Sequence, residues 1–161
     1  TESERRDWLK KVHGFGTNAA WWIAERSVGK SDDSDPETYL RDAVKYVEEM
    51  YAGSKSGLRP IHDRLIELDR SLRDVRICPC KTMVPIYREH VVAQIKPSTT
   101  KRIDFGLCLK GAKKKPPKRL IETGGLTKGD RITHRIPITS LGEIDDEVSN
   151  WLRIAYDLDA P

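Results

Sequence analysis

Cysteine is scarce in this chain, and its three cysteines cannot form an even disulfide framework. An odd, sparse count is typical of a reducing compartment, so we expect a cytoplasmic protein. Cys78 and Cys80 have the spacing to share one face of a strand, and His90 or His134 would have to complete a metal site with Cys108. Structural zinc usually takes four ligands, and the Cys-Pro-Cys spacing is atypical for it. We therefore predict small buried cysteines, with no metal and no other cofactor.

Long apolar runs are also missing from the sequence. A membrane-spanning helix needs roughly 20 consecutive apolar residues, and no stretch of this chain approaches that length. The charged start, TESERRDW, does not contain the apolar segment of a secretory signal peptide. We therefore expect that the protein does not bind a membrane.

Motifs that carry known catalytic chemistry are absent as well. The chain contains no G-x-x-x-x-G-K-[ST], no G-x-S-x-G and no H-E-x-x-H. His62-Asp63 has no second His-Asp pair, which argues against metal-dependent hydrolysis. A metal-dependent nuclease would also need clustered acids to hold Mg²⁺. The acids of the strand region are scattered instead: Glu89, Asp104, Glu122 and Asp130. The sequence therefore predicts a binding protein more than an enzyme.

Positive charge is what the sequence does contain, and it is concentrated in Lys81–Thr139, hereafter the basic region. Lys and Arg number 14 there against four Asp and Glu, a net charge of +10, whereas the whole chain carries +4. A concentrated positive field attracts polyanions and speeds their encounter with the protein. The asymmetry indicates an anionic partner without naming it.

The order of periodic segments predicts an α+β fold. Two short helices joined at residues 13–16 form an expected helical hairpin over 1–30, and the polar stretch 29–35 separates it from an α+β domain over 31–161. Capping boxes at Ser34/Glu37 and Ser140/Glu143 predict helix starts. Between these helices we expect an antiparallel meander of about five strands, with the C-terminal helix packed on one face.

The strand predicted over 101–110 has the clearest pattern. Ile103, Phe105, Leu107 and Leu109 alternate with Arg102, Asp104, Gly106 and Cys108. Such alternation is expected when one sheet face is buried and the other contacts water. The same reasoning puts His134 on one strand face with Ile132, Ile136 and Ile138, which favours a hydrogen-bonded core or edge histidine over a catalytic base.

Several separate segments carry a resemblance to known families. From Asp35 to the end, the chain resembles a family of bacterial domains of unknown function, through MYAGSKSGLRPIHDRL, KTMVPIYREHVVAQIKPSTTKRIDFGLCLKG, THRIPITS and VSNWLRIAYD. The preceding DWLKKVHGFGTNAAWWIAERS is similar to the end of a small helical module, also of unknown function. The resemblance implies a compact α+β domain, similar in outline to the YjbR-like and YdhG-like families. It implies no established activity and no catalytic residues.

The N-terminal hairpin fits a helix-hairpin-helix pattern, hxxhxGhGxxxAxxh, over 9–23. Gly14 and Gly16 would let a phosphate approach the backbone, and the amides of Gly16, Thr17 and Asn18 would open a helix whose positive end favours anions. The alternative is an ordinary tight turn in which glycine supplies only a positive φ. Such motifs usually bind DNA in pairs, and this chain shows one.

A second candidate is the run KKKPPKR within the basic region. Lys113, Lys114, Lys115, Lys118 and Arg119, together with Lys101 and Arg102, have the chemistry to contact nucleic-acid phosphates. The alternative is a solvated loop whose charges prevent aggregation of sheet edges. Few aromatic residues interleave with these cations, which argues against stacking on single-stranded bases.

Other functions remain open at this point. The sheet would form a pocket for a small anionic ligand, or a weak active site, if Lys81, Arg88, Asp104 and His134 came together. The charge distribution also fits a module that binds an acidic protein. Our leading hypothesis is a small non-enzymatic protein that contacts nucleic acid through phosphates, with low sequence specificity.

Overall fold

The computed structural model describes residues 1–16, 20, 21, 23, 24, 27 and 36–160, and for 36–38 the backbone only. The chain divides into two compact units, Thr1–Asp42 and Ala43–Pro161. Among the described helices, none is long and apolar enough to cross a membrane.

The first unit contains the N-terminal helix, α1 (Glu2–His13). Thr1 and Glu4 form a capping box at its start, and Gly14 ends it in the left-handed conformation with φ 64°. Residues 20, 21, 23, 24 and 27 are helical as well, and residues 17–19 of the predicted hairpin lie outside the described residues. Leu9 packs with Ala20 and Ala24 in a small apolar cluster of this unit.

The helices that follow are α2 (Pro36–Met50) and α3 (Arg59–Arg70), with a 3-10 helix at Gly53–Leu58 between them. Pro60 lies in the first turn of α3, where a missing N–H has no cost. The buried face of α3 carries Ile61 and Leu65 at helical spacing, and both side chains belong to the main core. α3 is therefore an amphipathic helix that covers the sheet of the second unit.

Six antiparallel strands form one sheet in the order β1-β2-β3-β4-β6-β5. Their bounds are β1 (Arg76–Ile77), β2 (Val84–Tyr87), β3 (Val91–Pro97), β4 (Ile103–Leu107), β5 (Ile121–Glu122) and β6 (His134–Ile138). A single helical turn, α4 (Gly125–Lys128), lies between β5 and β6, and α5 (Asp146–Leu158) closes the chain. The α+β prediction is confirmed; the strand it did not place is β5, which has only two residues and no alternating pattern.

One face of the sheet forms the core. Ile103, Phe105 and Leu107 of β4 are fully buried, as the alternation predicts, and they cluster with Leu65 of α3 and Trp151 of α5. The opposite face of the sheet carries the intervening side chains of each strand. We call it the open face.

The start of α5 differs from the prediction in one respect. The capping box of Ser140 and Glu143 is present, but it caps a 3-10 helix at Leu141–Glu143. Ile144 then leaves the helical conformation, and Asp145 begins α5 by accepting a hydrogen bond from the Val148 backbone N–H at 3.1 Å. Two successive caps therefore replace the single one that the sequence indicates.

Substitution of Gly125 by alanine is expected to destabilise the second unit by about 2 kcal/mol, since a Cβ there would meet fixed backbone. That Cβ would lie 2.2 Å from the Ile132 carbonyl oxygen, whereas a Cβ at Gly142 would meet nothing within 4 Å. Urea unfolding of Gly125→Ala beside Gly142→Ala measures the difference. Equal stability of the two variants would show that the α4 turn shifts freely.

Candidate functional site

All five arginines of the basic region have partners inside the domain. Arg88 Nη1 donates to the Tyr156 carbonyl at 3.1 Å and its guanidinium lies 4.1 Å from the centre of that ring. Acidic partners hold the other four, which are Arg102, Arg119, Arg131 and Arg135. The arginine charges are therefore largely used to hold the fold together.

Asp104 neutralises two of these arginines on the open face. Its Oδ1 lies 3.0 Å from Arg102 Nε and 2.7 Å from Arg135 Nη1. Burial raises the pKa of Asp104, but hydrogen bonds from Ser98 and Arg135 and the two guanidinium charges outweigh it, so the pKa is lowered. Arg102, a predicted nucleic-acid contact, thus has an internal partner at neutral pH.

Arg119, another predicted contact, is bound to the start of α5. Its Nη1 lies 2.6 Å from Asp145 Oδ2, and its Nη2 donates to the Glu143 carbonyl. A guanidinium in this position joins the loop after β4 to the cap of the helix. Its role in the structure is to hold these segments together.

The lysines of the basic region differ from its arginines. Within the part of the chain that the structure describes, none of the nine is in an ion pair, and all nine are exposed: Lys81, Lys96, Lys101, Lys110, Lys113, Lys114, Lys115, Lys118 and Lys128. The net positive charge of the basic region is therefore carried by exposed lysines that are in no ion pair among the described residues.

These lysines come from separate segments of the chain. Lys101 precedes β4, whereas Lys113, Lys114, Lys115 and Lys118 follow it in a segment we call the lysine loop. β5 pairs with β6 in a register that sets Ile121 opposite Arg135 and Arg135 opposite Gly106 of β4, so the chain after the lysine loop returns alongside β4. The predicted contacts therefore come from two separate segments of the chain.

The lysine loop is anchored at Lys114. The Nζ of Lys114 lies 5.5 Å from the centre of the Trp151 ring, at a distance typical of a cation–π contact. The Ala112 backbone N–H donates to the Leu109 carbonyl, which turns the chain at the start of the loop. Lys113, Lys115 and Lys118 are left exposed to solvent.

Near the start of β4, lysines from three segments line a concavity of about 520 Å³. Lys55 comes from the 3-10 helix before α3, Lys81 from the β1–β2 connection and Lys96 from β3. Ser54 and Thr82 also line the concavity, which we call the lysine cleft. The Lys55 Nζ donates to the Pro97 carbonyl at 2.7 Å, so this ammonium group is held in place.

The N-terminal glycine motif is described only in part, because Thr17 and Asn18 lie outside the described residues. Gly14 ends α1 with φ 64°, and the backbone N–H groups of Gly14 and Phe15 both donate to the Leu9 carbonyl. A positive φ is sufficient reason for glycine at position 14. Gly16 has no positive φ, and a Cβ there would meet nothing within 4 Å.

The four residues of the alternative pocket do not come together. Lys81 lines the lysine cleft, and Arg88 lies against Tyr156. His134 is buried and pairs with Leu107, whose side chain is on the core face. Asp104 pairs with Pro137, which lies three residues from His134 along β6. Because strand side chains alternate, Asp104 and His134 are on opposite faces. The His134 Nδ1 lies 2.9 Å from Thr133 Oγ1, in agreement with a hydrogen-bonded core histidine.

A cluster that the sequence reasoning missed lies at the end of α5. The buried Asp159 carboxylate accepts the His90 backbone N–H at 2.7 Å, and its Oδ1 lies 3.0 Å from His90 Nδ1 and 2.9 Å from Arg131 Nη2. Burial raises the pKa of Asp159, but the His90 hydrogen bonds and the Arg131 charge outweigh it and lower the pKa. These residues, with Cys108 and Lys110, line a concavity of about 440 Å³.

This arrangement can hold His90 with Nδ1 as the donor and Nε2 open to solvent. No local pattern could have revealed it, since His90 and Asp159 are 69 residues apart.

Of the three cysteines, only Cys108 is buried; Cys78 is half-buried and Cys80 is exposed, so the prediction of buried cysteines is wrong for Cys80. Among the described residues, no group of three or more histidines, cysteines and acids is placed to hold a metal ion.

The second unit is thus an α+β domain with one antiparallel sheet, a helical layer on its core face and exposed lysines that are in no ion pair among the described residues. A family profile, the domain of unknown function DUF5655, matches residues 47–159. The match covers most of the chain, so the chain belongs to this family. No curated protein and no solved structure gives a significant match.

Proposed function

We propose that this protein binds nucleic acid through its phosphates, by means of the lysine cleft, Lys101 and the lysine loop. The proposal rests on the difference between the arginines and the lysines of the basic region. The arginines have internal partners, whereas the nine lysines are exposed and are in no ion pair among the described residues. Exposed lysines outside ion pairs attract polyanions and release counterions on binding.

Recognition of this kind has low sequence specificity. An ammonium group contacts phosphate oxygens as a point charge and reads no base. The lysine cleft and the lysine loop come from separate segments of the chain and would contact more than one phosphate along a strand or duplex. Affinity is therefore expected to depend on length and salt concentration more than on sequence.

The test is fluorescence anisotropy with a labelled duplex DNA, single-stranded DNA and RNA of equal length, each across a salt series. Binding that weakens linearly with salt on logarithmic axes supports phosphate contacts, and for duplex DNA each contact contributes about 0.9 to the slope. No binding of any of the three at low salt would sink the proposal.

Charge reversal then locates the contacts. We expect nucleic-acid binding to weaken at least tenfold when lysines are reversed either at the lysine cleft and Lys101 or in the lysine loop. One triple variant changes Lys81, Lys96 and Lys101 to Glu, and a second changes Lys113, Lys115 and Lys118 to Glu, which leaves the Lys114–Trp151 contact intact. Losing two or three phosphate contacts should also lower the salt slope by about 2 to 3 for duplex DNA.

The matched control applies the same charge change to the helical layer. It changes Arg70, Arg73 and Arg153 to Glu, at exposed positions on or next to α3 and α5. The control should lose much less affinity than the lysine variants, because its charges lie outside both lysine surfaces. An equal loss in all three variants would mean that net charge alone governs binding, without a defined surface.

A further inference from the structure

The lysine cleft holds more positive charge and more hydrogen-bond donors than one backbone phosphate can use. Lys55, Lys81 and Lys96 bring three ammonium groups to one concavity, and Ser54 and Thr82 bring hydroxyl groups to it. A phosphodiester in a strand carries one charge and two free oxygens. A terminal phosphate monoester carries about −1.5 to −2 and three acceptor oxygens.

We propose that the lysine cleft binds the terminal phosphate monoester of a nucleic-acid strand, an inference that rests on the proposed function. The charge of a monoester is a better match for three ammonium groups than the charge of a diester. A volume of about 520 Å³ leaves room for a phosphate group. The cleft thus selects strand ends, while the lysine loop contacts the backbone.

Lys55 is the preorganised member of this site. One of its three N–H donors goes to the Pro97 carbonyl at 2.7 Å, so the ammonium group is positioned before an anion arrives and keeps two donors for it. Fixing a flexible side chain in advance lowers the entropy lost on binding. Lys81 and Lys96 are exposed and supply adaptable contacts from the two neighbouring segments.

The cleft has one acidic lining residue, Glu49, near the end of α2. Its carboxylate lies 3.7 Å from the Lys45 Nζ, and this neighbour offsets part of the negative charge. The three lysines of the cleft therefore still outweigh the acid. A dianion remains favoured over a neutral ligand.

The experiment compares one single-stranded oligonucleotide in three forms, with an internal fluorescent label and a 5′-phosphate, a 3′-phosphate or hydroxyl groups at both ends. We expect one phosphorylated form to bind about five- to tenfold more tightly than the hydroxyl form at low salt, and which form does so identifies the end that is bound. Lys81→Met/Lys96→Met should abolish this ratio. The matched loop variant, Lys113→Met/Lys115→Met, should weaken all three forms equally and preserve it.

The outcomes separate the two proposals. Equal affinity for all three oligonucleotides overturns the strand-end inference and leaves the proposed function standing. If none of them binds, the proposed function fails, and calorimetric titration with adenosine monophosphate then tests the cleft alone. Binding of that nucleotide, lost in Lys81→Met/Lys96→Met, would support a monoester site, whereas no binding would overturn it.

Discussion

Replacement of Asp69 by leucine is expected to stabilise the second unit by about 3 kcal/mol at neutral pH. Asp69 is fully buried, and neither of its carboxylate oxygens has a hydrogen-bond partner among the described residues. Burial raises its pKa well above the ordinary value of 3.8. Burying a polar group without a partner costs about 1–3 kcal/mol, and leucine adds apolar contacts in the same space.

The effect of Asp69 depends on pH in a defined direction. Below pH 3.8 the carboxyl is protonated in both the folded and the unfolded chain, so its ionisation contributes nothing. As the pH rises from 3.8 to the raised folded pKa, the unfolded chain releases a proton that the folded chain keeps, and stability falls. The stabilising effect of leucine should therefore grow with pH across this window.

Urea unfolding of wild type, Asp69→Leu and Asp69→Asn between pH 4 and pH 8 measures this dependence. Asparagine keeps a buried polar group but cannot titrate, so it separates ionisation from polarity. Both variants should gain stability relative to wild type as the pH rises, with leucine the more stable of the two. A difference that does not change with pH would contradict a raised pKa at Asp69.

Replacement of His62 by asparagine is expected to have the opposite pH dependence. His62 is buried, its Nδ1 lies 3.0 Å from the Tyr51 hydroxyl, and burial lowers its pKa from 6.5 to about 4. As the pH falls from 6.5 to 4, the unfolded chain binds a proton that the folded chain does not, and stability falls by about 3 kcal/mol. Asparagine cannot titrate and can still bond the hydroxyl, so this loss should disappear.

The same pH series measures the His62→Asn effect, taken as the difference in unfolding free energy from wild type at each pH. The difference should favour the variant increasingly below pH 6.5 and be constant above it. Between pH 4 and pH 6.5, rising pH increases stability through His62 and decreases it through Asp69. Removing one of these groups should therefore leave the pH dependence of the unfolding free energy that the other causes. Parallel curves for wild type and His62→Asn would sink the prediction.

The fold could be predicted where neighbours along the chain decide it. Alternation in β4 predicts the buried face of Ile103, Phe105 and Leu107, and all three are in the core. The capping box at Ser140 also forms, since its partners are three residues apart. The extra cap at Asp145 and the short strand β5 escaped prediction because their signals are too short for any periodicity to appear.

The charged residues of the candidate site could be predicted from the sequence, but their arrangement in space could not. The excess of lysine and arginine in the basic region is visible in the sequence, but which cations stay uncompensated is not. Arg102 and Arg119 look equivalent to their lysine neighbours, yet folding places each beside acids. Lys55 lies outside the basic region and joins the lysine cleft only through the tertiary structure.

What the sequence by itself determined is the class of fold, the sign of the charge and the segment that carries it, because helix caps, strand alternation and net charge depend on residues that are close along the chain. The tertiary structure alone decided which charges form ion pairs, that Lys55 joins the lysine cleft, and that His90 meets Asp159 across 69 residues. Charge compensation depends on distances in space, and the pairing of distant strands and helices sets those distances.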